Sequence, residues 1–172
     1  MTLLSREGLQ FEGVVWRYIP AWAHPLHVGF LLQAAGRWNR YAEYGCLYTS
    51  LSREGAIAEY RKVAGGYVGL ASSDAEKKDL VSILVRVEPV LDLTDRSVRR
   101  RYGVSLAMLT GDSDESLETC RSIADLARAQ GYRAILSPSA ALRGAANLNI
   151  YLEGRAANLR LREGPSREPL NY

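Results

Sequence analysis

Side chains capable of chemistry are concentrated in the segment GRWNRYAEYGCLYTSLSREGAIAEY, which runs from Gly36 to Tyr60. Arg37 carries a planar guanidinium that can bind a phosphate or a carboxylate through two parallel hydrogen bonds. Tyr48 has a hydroxyl that needs a partner if it is buried. Glu59 lies at the edge of an apolar helical face, where a carboxylate is either the partner of an arginine such as Arg37 or a functional acid, base or electrostatic stabiliser. The residue types alone do not choose between these interpretations.

A second arginine, Arg17, stands between Trp16 and Tyr18 in an otherwise apolar stretch. Arginine is rarely buried without a partner, so from this residue alone we expect it to face solvent on the alternate side of a strand. The functional alternative is an anion clamp. Trp38 also has two interpretations, because a tryptophan can fill the core or stack on an aromatic ring of a ligand.

Two serines, Ser137 and Ser139, flank a proline at the end of a predicted strand. The structural interpretation is a turn in which Ser139 caps a short helix, and the alternative is a hydroxyl presented into a pocket. Neither serine has a convincing histidine partner in the sequence, which argues against a nucleophilic serine mechanism.

The sequence lacks the usual signals of metal, nucleotide and disulfide chemistry. His24 and His27 are spaced by three, but Pro25 disfavours a helix there and no third ligand is evident. There is no P-loop, GxSxG or GxGxxG motif in a suitable setting. Cys46 and Cys120 show no paired spacing, so we expect two reduced thiols.

Composition predicts one globular domain over residues 1–172. The chain is 47% hydrophobic and 24% charged, and its net charge of +3 is too small to indicate nucleic acid or membrane by itself. Arg6 and Glu7 interrupt the N-terminal apolar residues. We therefore expect neither a signal peptide nor a membrane-spanning helix.

Strands are predicted where β-branched and aromatic residues cluster. They span residues 13–20, 46–50, 81–87, 90–93 and 147–153, with a further strand in YRAILSPSA. A break at Glu88-Pro89 separates two of them, because proline cannot donate to a strand ladder. The polar, arginine-rich residues 154–172 predict an extended C-terminal tail outside a core of about residues 13–153.

Two helices are predicted from capping residues and apolar periodicity. One begins near Arg53 with Ser52 as its cap, and the other spans residues 114–130 with Asp112 or Asp114 as its cap. Strict alternation of strands and helices is absent, so the prediction is an α+β domain with a mixed, mostly antiparallel sheet. The predicted buried faces of the helices comprise Ala56, Ile57, Tyr60, Val63, Leu117, Cys120, Ile123, Ala124 and Ala127.

The motifs WRY, GRWN, LYTSLSREGAIAEY, VLDLTD and SPSAA, followed by Asn147, together resemble the RES domain. That family is named for its Arg, Glu and Ser, and it supplies the toxin of bacterial type II toxin–antitoxin pairs. The resemblance implies a fold similar to ADP-ribosyltransferases of the diphtheria-toxin type. One departure is Ala35, which stands where the family usually has the first of two glycines before the Arg-Trp pair.

The resemblance also implies a site and a substrate. NAD is implied as a substrate rather than a cofactor, and no metal is required. Ser139 is preferred to Ser137 because the Pro-Ser-Ala order matches the family. The implied catalytic residues are Glu59, Arg37, Tyr48 and Ser139, and the implied NAD-binding residues are Arg17, Tyr18, Arg37, Trp38, Tyr48 and Ser139.

Three functions follow as alternatives. The first is a cytoplasmic toxin that degrades NAD by hydrolysis or phosphorolysis, the second an ADP-ribosyltransferase that modifies a cellular protein, and the third a catalytically silent binding module. The resemblance implies a cognate helix-turn-helix, Xre-like antitoxin as partner and admits a homodimer within that complex. We expect no direct contact of this chain with nucleic acid or a membrane. The acceptor of the ADP-ribose is not indicated by the residues.

Overall fold

The computed structural model describes residues 8–28, 34–65, 77–152 and 158–170. The described elements alternate irregularly between strand and helix along the chain. In order they are β1 (Leu9–Pro20), β2 (Cys46–Ser50), α1 (Arg53–Gly65), β3 (Lys78–Asp92), α2 (Arg96–Arg101), α3 (Leu106–Thr110), α4 (Asp114–Ala129), β4 (Ala134–Pro138), β5 (Ala146–Tyr151) and β6 (Leu159–Leu170).

The strands form a sheet in the order β1-β2-β5-β4-β3-β6, in which β1 also pairs with β3 along its length. The pairings β1–β3, β3–β4, β4–β5, β5–β2 and β2–β1 therefore form a closed circuit. Among the described pairs, β3–β4 is parallel and the others are antiparallel. The predicted α+β fold with a mixed, mostly antiparallel sheet is confirmed.

The core lies on both faces of the central strands β2, β4 and β5. Successive residues of a strand point to opposite faces, and the packing follows this alternation. Cys46, Ile135 and Tyr151 belong to an apolar cluster with α3 and α4 on one face. Leu47 and Leu148 belong to a second cluster with β1 and β3 on the other. Both cysteines are free and buried.

Helix α1 begins where the sequence predicts, because the Ser52 hydroxyl accepts a hydrogen bond from the Gly55 N–H at 3.0 Å. Ala56 and Ile57 are buried as predicted. The prediction for Val63 is wrong, since this side chain is 48% exposed. Val63 lies in the last turn of α1 and lines a cleft rather than the core.

Helix α4 also forms as predicted, but its cap differs. Ser113, rather than Asp112 or Asp114, is the N-cap, and its hydroxyl accepts from the Ser116 N–H at 3.2 Å. Asp112 is instead drawn into ion pairs with two cations. These cations, Arg37 and Lys62, could not be predicted from the local sequence, because they are far from Asp112 in the chain.

The predicted break at Glu88-Pro89 is wrong, since β3 continues through a cis peptide bond at this point. The register of β1 against β3 shifts between Leu9 and Phe11, opposite these two residues. The proline therefore faces an irregularity in which no N–H is needed for the ladder.

The prediction of a C-terminal tail outside the core is also wrong. Strand β6 pairs with β3 from Leu159 to Leu170. Leu159 and Leu161 pack on the sheet core, while the alternating Arg160 and Arg162 face outward. This alternation is typical of a strand, but the prediction of a tail was based on the arginine-rich composition instead.

Candidate active site

A cleft of about 660 Å³ opens between β1, β2, the C-terminal half of α1 and β5. The wall of this cleft includes many of the predicted site residues. Those lining it are Arg17, Tyr18, Arg37, Tyr48 and Glu59. The fold thus brings together side chains that are up to 42 residues apart in sequence, counted from 17 to 59.

Glu59 is held in position by two donors from the opposite side of the fold. The Ser139 hydroxyl donates to Oε1 at 2.7 Å, and the Asn147 amide Nδ2 donates to the same oxygen at 2.6 Å. Both contacts orient the carboxylate of α1 toward the ends of β4 and β5. Glu59 does not pair with Arg37, so the salt-bridge interpretation of that pair is wrong.

Ser139 supports Glu59 rather than lining the cleft. Its side chain is 6% exposed, and its oxygen also accepts from the N–H groups of Ala141 and Leu142 at 3.1 and 3.0 Å. The O–H donates to Glu59, whereas the resemblance implied that Ser139 binds NAD directly. Ser137 lies elsewhere, accepting from Asn149 at 2.9 Å.

Arg17 is buried, with 8% of its surface exposed, so the expectation of a solvent-facing side chain is wrong. Its Nη1 donates to the carbonyl oxygens of His27 at 3.2 Å and Pro25 at 3.5 Å. No carboxylate among the described residues pairs with it. Burial lowers the pKa of Arg17 to about 10, so the guanidinium remains charged at neutral pH.

Arg37 is engaged with the loop between α3 and α4. Its Nη1 donates to the carbonyl oxygens of Leu109 at 3.1 Å and Gly111 at 2.6 Å, and its Nη2 donates to Asp112 at 2.8 Å. Lys62 also pairs with Asp112 at 2.8 Å. These cations hold the pKa of Asp112 below its usual value, with the Lys62 hydrogen bond as the main cause.

Tyr48 connects the cleft to the loop that carries Arg37. Its hydroxyl donates to Asn39 Oδ1 and accepts from the Trp38 N–H, both at 2.8 Å. Burial of the hydroxyl raises the pKa of Tyr48 well above its usual value, so the hydroxyl stays protonated. A Cβ at Gly36 would lie 2.1 Å from this hydroxyl, so only glycine permits the approach.

Trp38 does not contribute its ring to the cleft. The side chain is 2% exposed and belongs to the apolar cluster around α4. Stacking of Trp38 on a ligand is therefore a wrong prediction, and the core interpretation is correct. The aromatic surface of the cleft comes instead from Tyr18 and Tyr48. The ring centroid of Tyr18 lies 5.2 Å from that of Tyr60, and Tyr48 is 37% exposed.

Four polar residues at the site were not assigned from the sequence. Asn147 anchors Glu59, while its own Oδ1 is buried without a hydrogen-bond partner. Asn39 anchors the loop before β2 and is 1% exposed. Lys62 and Asp112 bridge α1 to the α3–α4 loop. Lys62 follows Glu59 by three residues, so helical spacing was the one available signal that it faces the same cleft.

Other kinds of site find little support in the described residues. Across those ranges no group of three or more His, Cys, Asp or Glu side chains is arranged to hold a metal ion. His24 instead accepts from the Leu26 N–H at 3.1 Å and lies 3.6 Å from Glu163. None of the described helices has the length and apolar character needed to cross a bilayer.

Comparison with known proteins identifies the family. The RES domain profile matches residues 14–169, nearly the whole chain. The chain therefore belongs to the RES domain family, which confirms the resemblance carried by the motifs. No curated protein matches it.

The fold is similar to that of a chain in the crystal structure of the M. tuberculosis MbcT–MbcA toxin–antitoxin complex. The TM-score is 0.72 at 21% sequence identity, and the alignment covers 94% of this chain and 85% of that chain. At this identity the likeness concerns the fold, and it agrees with the mostly antiparallel α+β architecture described above.

Proposed function

We propose that this chain is the toxin of a toxin–antitoxin pair and degrades NAD by cleaving the bond between nicotinamide and ribose. The observation that carries the proposal is the Glu59 carboxylate, fixed by Ser139 and Asn147 at 2.7 and 2.6 Å on the wall of a cleft of about 660 Å³. Membership of the RES domain family supports the substrate class. The likeness to a chain of a toxin–antitoxin complex supports the biological role.

The reaction needs a fixed negative charge more than it needs a nucleophile. When the bond between nicotinamide and ribose breaks, the electron pair leaves with the nicotinamide nitrogen, which becomes neutral, and positive charge develops on the sugar. The Glu59 carboxylate stabilises that charge and accepts a hydrogen bond from a ribose hydroxyl. Water or phosphate then adds to the sugar carbon and loses a proton to solvent.

Arg17 and the tyrosines bind the rest of the substrate in this proposal. Arg17 is charged, borders the cleft and lacks a carboxylate partner in the described residues, which suits it to the pyrophosphate. Tyr18 and Tyr48 offer ring surface to the nicotinamide. Arg37 also borders the cleft, but its hydrogen bonds to the α3–α4 loop make its role one of shaping the wall and adding positive charge.

The test is product analysis after incubation with NAD, with and without phosphate. ADP-ribose as product means hydrolysis, and ADP-ribose-1″-phosphate means phosphorolysis. Glu59→Gln keeps the shape and removes the charge, so turnover should fall about 10²–10³-fold while NAD binding is largely kept. Glu54→Gln is the matched control, because it lies on the same helix with an exposed side chain.

Three outcomes contradict the proposal. Wild-type turnover in Glu59→Gln would remove Glu59 from the mechanism. Labelling of a cellular protein by NAD, without release of free ADP-ribose, would favour the ADP-ribosyltransferase alternative. Absence of any NAD chemistry in the folded wild-type chain would favour the silent binding module.

The biological half of the proposal has its own test. We propose a cognate Xre-like antitoxin that covers the cleft mouth and presents a carboxylate to Arg17, where it would imitate a substrate phosphate. Expression of this chain alone should arrest growth and lower cellular NAD, and co-expression with the antitoxin should restore both. Harmless expression with unchanged NAD would contradict the toxin role.

A further inference from the structure

The outer face of the β1–β3–β6 sheet is only half covered. Alternate residues of β1 point to this face. Helix α1 covers the half nearest the cleft, where Ala56, Ile57 and Leu80 form an apolar cluster with Trp16 and Leu170. The other half carries no described helix or loop, and a shallow groove of about 360 Å³ lies on it.

Six side chains form two cross-strand rows on the uncovered half, and we call them the basic sheet face. In the first row Glu12 on β1 is opposite Arg86 on β3, and Arg86 is opposite Arg160 on β6. In the second row Val14 is opposite Leu84, and Leu84 is opposite Arg162. All six residues line the groove.

The three arginines of the basic sheet face outnumber the carboxylates that the described residues place beside them. Arg86 and Arg160 are direct cross-strand neighbours, and like charges in this position destabilise a sheet. Arg86 has one carboxylate nearby, Glu12 at 3.7 Å. Neither the Arg160 nor the Arg162 side chain has an ion pair or hydrogen bond with any part of the chain that the structure describes.

The apolar residues of this face are also exposed. Val14 is 43% exposed and Leu84 is 41% exposed, and the two are direct neighbours across the strands. A single exposed apolar side chain is ordinary. Two adjacent ones beside three guanidiniums, of which only Arg86 has a described carboxylate partner, form a surface with both an apolar and a cationic part.

We propose that the basic sheet face is a docking surface for an acidic amphipathic helix of a partner protein. The apolar stripe of such a helix would cover Val14 and Leu84, and carboxylates beside the stripe would pair with Arg160 and Arg162. The carboxylate of Glu12 disfavours the phosphates of a nucleic acid or an anionic membrane, whereas a protein partner can offer it a cation.

The position of the surface connects it with the cleft. Val14 and Tyr18 lie on the same face of β1, about 13 Å apart at the usual rise per residue, and Tyr18 lines the cleft. A helix docked on the basic sheet face would therefore lie within reach of the cleft without entering it. This inference stands on the surface alone and does not depend on the proposed NAD chemistry.

The test uses a fluorescent synthetic helix in which leucines recur every three or four residues and glutamates flank them. We expect saturable binding to the wild-type chain that weakens as salt increases. Arg160→Glu with Arg162→Glu should reduce affinity at least tenfold, since it replaces attraction with repulsion. The control is Arg100→Glu with Arg101→Glu on α2, which changes the net charge equally at exposed positions and should leave binding unchanged.

A second variant separates docking from simple charge attraction. Leu84→Ser should weaken binding of the acidic helix while the melting temperature stays close to that of the wild type, because the side chain is already exposed. A matched peptide with lysines in place of the glutamates should not bind.

Several outcomes would overturn the proposal. These are no binding of the acidic helix, equal loss in the α2 control, or tighter binding of a single-stranded oligonucleotide or of anionic lipid vesicles than of the peptide. Dissociation of a dimer by the Arg160→Glu and Arg162→Glu changes would instead assign the surface to a second copy of this chain.

Discussion

The two arginines of the cleft, Arg17 and Arg37, look alike in the sequence but have different surroundings. Arg17 is buried, and its described hydrogen bonds are to two backbone carbonyl oxygens, so its charge has no carboxylate opposite it in the described chain. Arg37 bonds two backbone carbonyl oxygens and the carboxylate of Asp112. One end of the cleft thus holds a cation that no described carboxylate pairs with, and the other holds a cation paired with Asp112.

This difference predicts different roles for Arg17 and Arg37. A buried charge without a counterion lowers stability, and an anionic ligand would remove that disadvantage at Arg17. At Arg37 the same ligand would have to compete with contacts that join the loop before β2 to the α3–α4 loop. We therefore expect binding to depend mainly on Arg17 and stability mainly on Arg37.

Among changes that separate the two arginines, the largest effect is expected for Arg17→Met. The apparent KM for NAD should rise about 100-fold, because a charge-assisted hydrogen bond to the substrate is lost. The melting temperature should stay close to that of the wild type, because removal of a buried charge offsets the loss of two long hydrogen bonds to the carbonyls of Pro25 and His27. Steady-state kinetics and thermal unfolding measure both quantities, with Arg96→Met on α2 as control. A lower melting temperature with unchanged KM would reverse the assigned roles.

The next effect is expected for Arg37→Lys, which keeps the charge but loses the fork. Loss of hydrogen bonds to Leu109 and Gly111 should lower the free energy of unfolding by about 1–3 kcal/mol. Thermal or denaturant unfolding without NAD measures this. If stability is unchanged and NAD binding weakens instead, Arg37 contacts the substrate directly, and its assignment to stability is wrong.

A smaller effect is expected for Tyr48→Phe. The Trp38 N–H loses its acceptor and the buried Asn39 side chain loses its donor, so the free energy of unfolding should fall by about 1–2 kcal/mol. Hydrogen exchange of the Trp38 amide should become faster. Unchanged exchange combined with lost turnover would mean that the hydroxyl acts on the substrate rather than on the loop.

The smallest effect is expected for Asp112→Asn, because the Asp112 side chain is 62% exposed. The ion pairs with Arg37 and Lys62 should contribute less than about 1 kcal/mol. The folded state lowers the pKa of Asp112, so this contribution is present above the unfolded pKa of about 3.9 and is lost as the pH falls through the folded pKa.

Unfolding of the wild type and of Asp112→Asn should therefore be compared at about pH 6 and about pH 3. We expect the wild type to be the more stable protein at the higher pH and the difference to shrink at the lower pH. A difference that grows on acidification would contradict the ion-pair account.

The sequence predicted best where local signals were enough. Strand β2 and helix α1 begin as expected, since the Ser52 cap and the apolar pattern lie within a few residues of each other. The predictions failed where a distant partner decided the outcome. Pro89 stays within β3 because β1 is irregular opposite it, and β6 forms because β3 offers it an edge.

The family and the residue types of the site were determined by the sequence alone, because motif order and side-chain chemistry are written in it. Only the tertiary structure decided which of those residues face the cleft. In the structure Trp38 packs in the core, Ser139 donates to Glu59, and Arg17 is buried. The physical reason is that hydrogen-bond partners and burial depend on how separate segments pack together, such as Ser139, 80 residues after Glu59. Neither spacing nor composition records them.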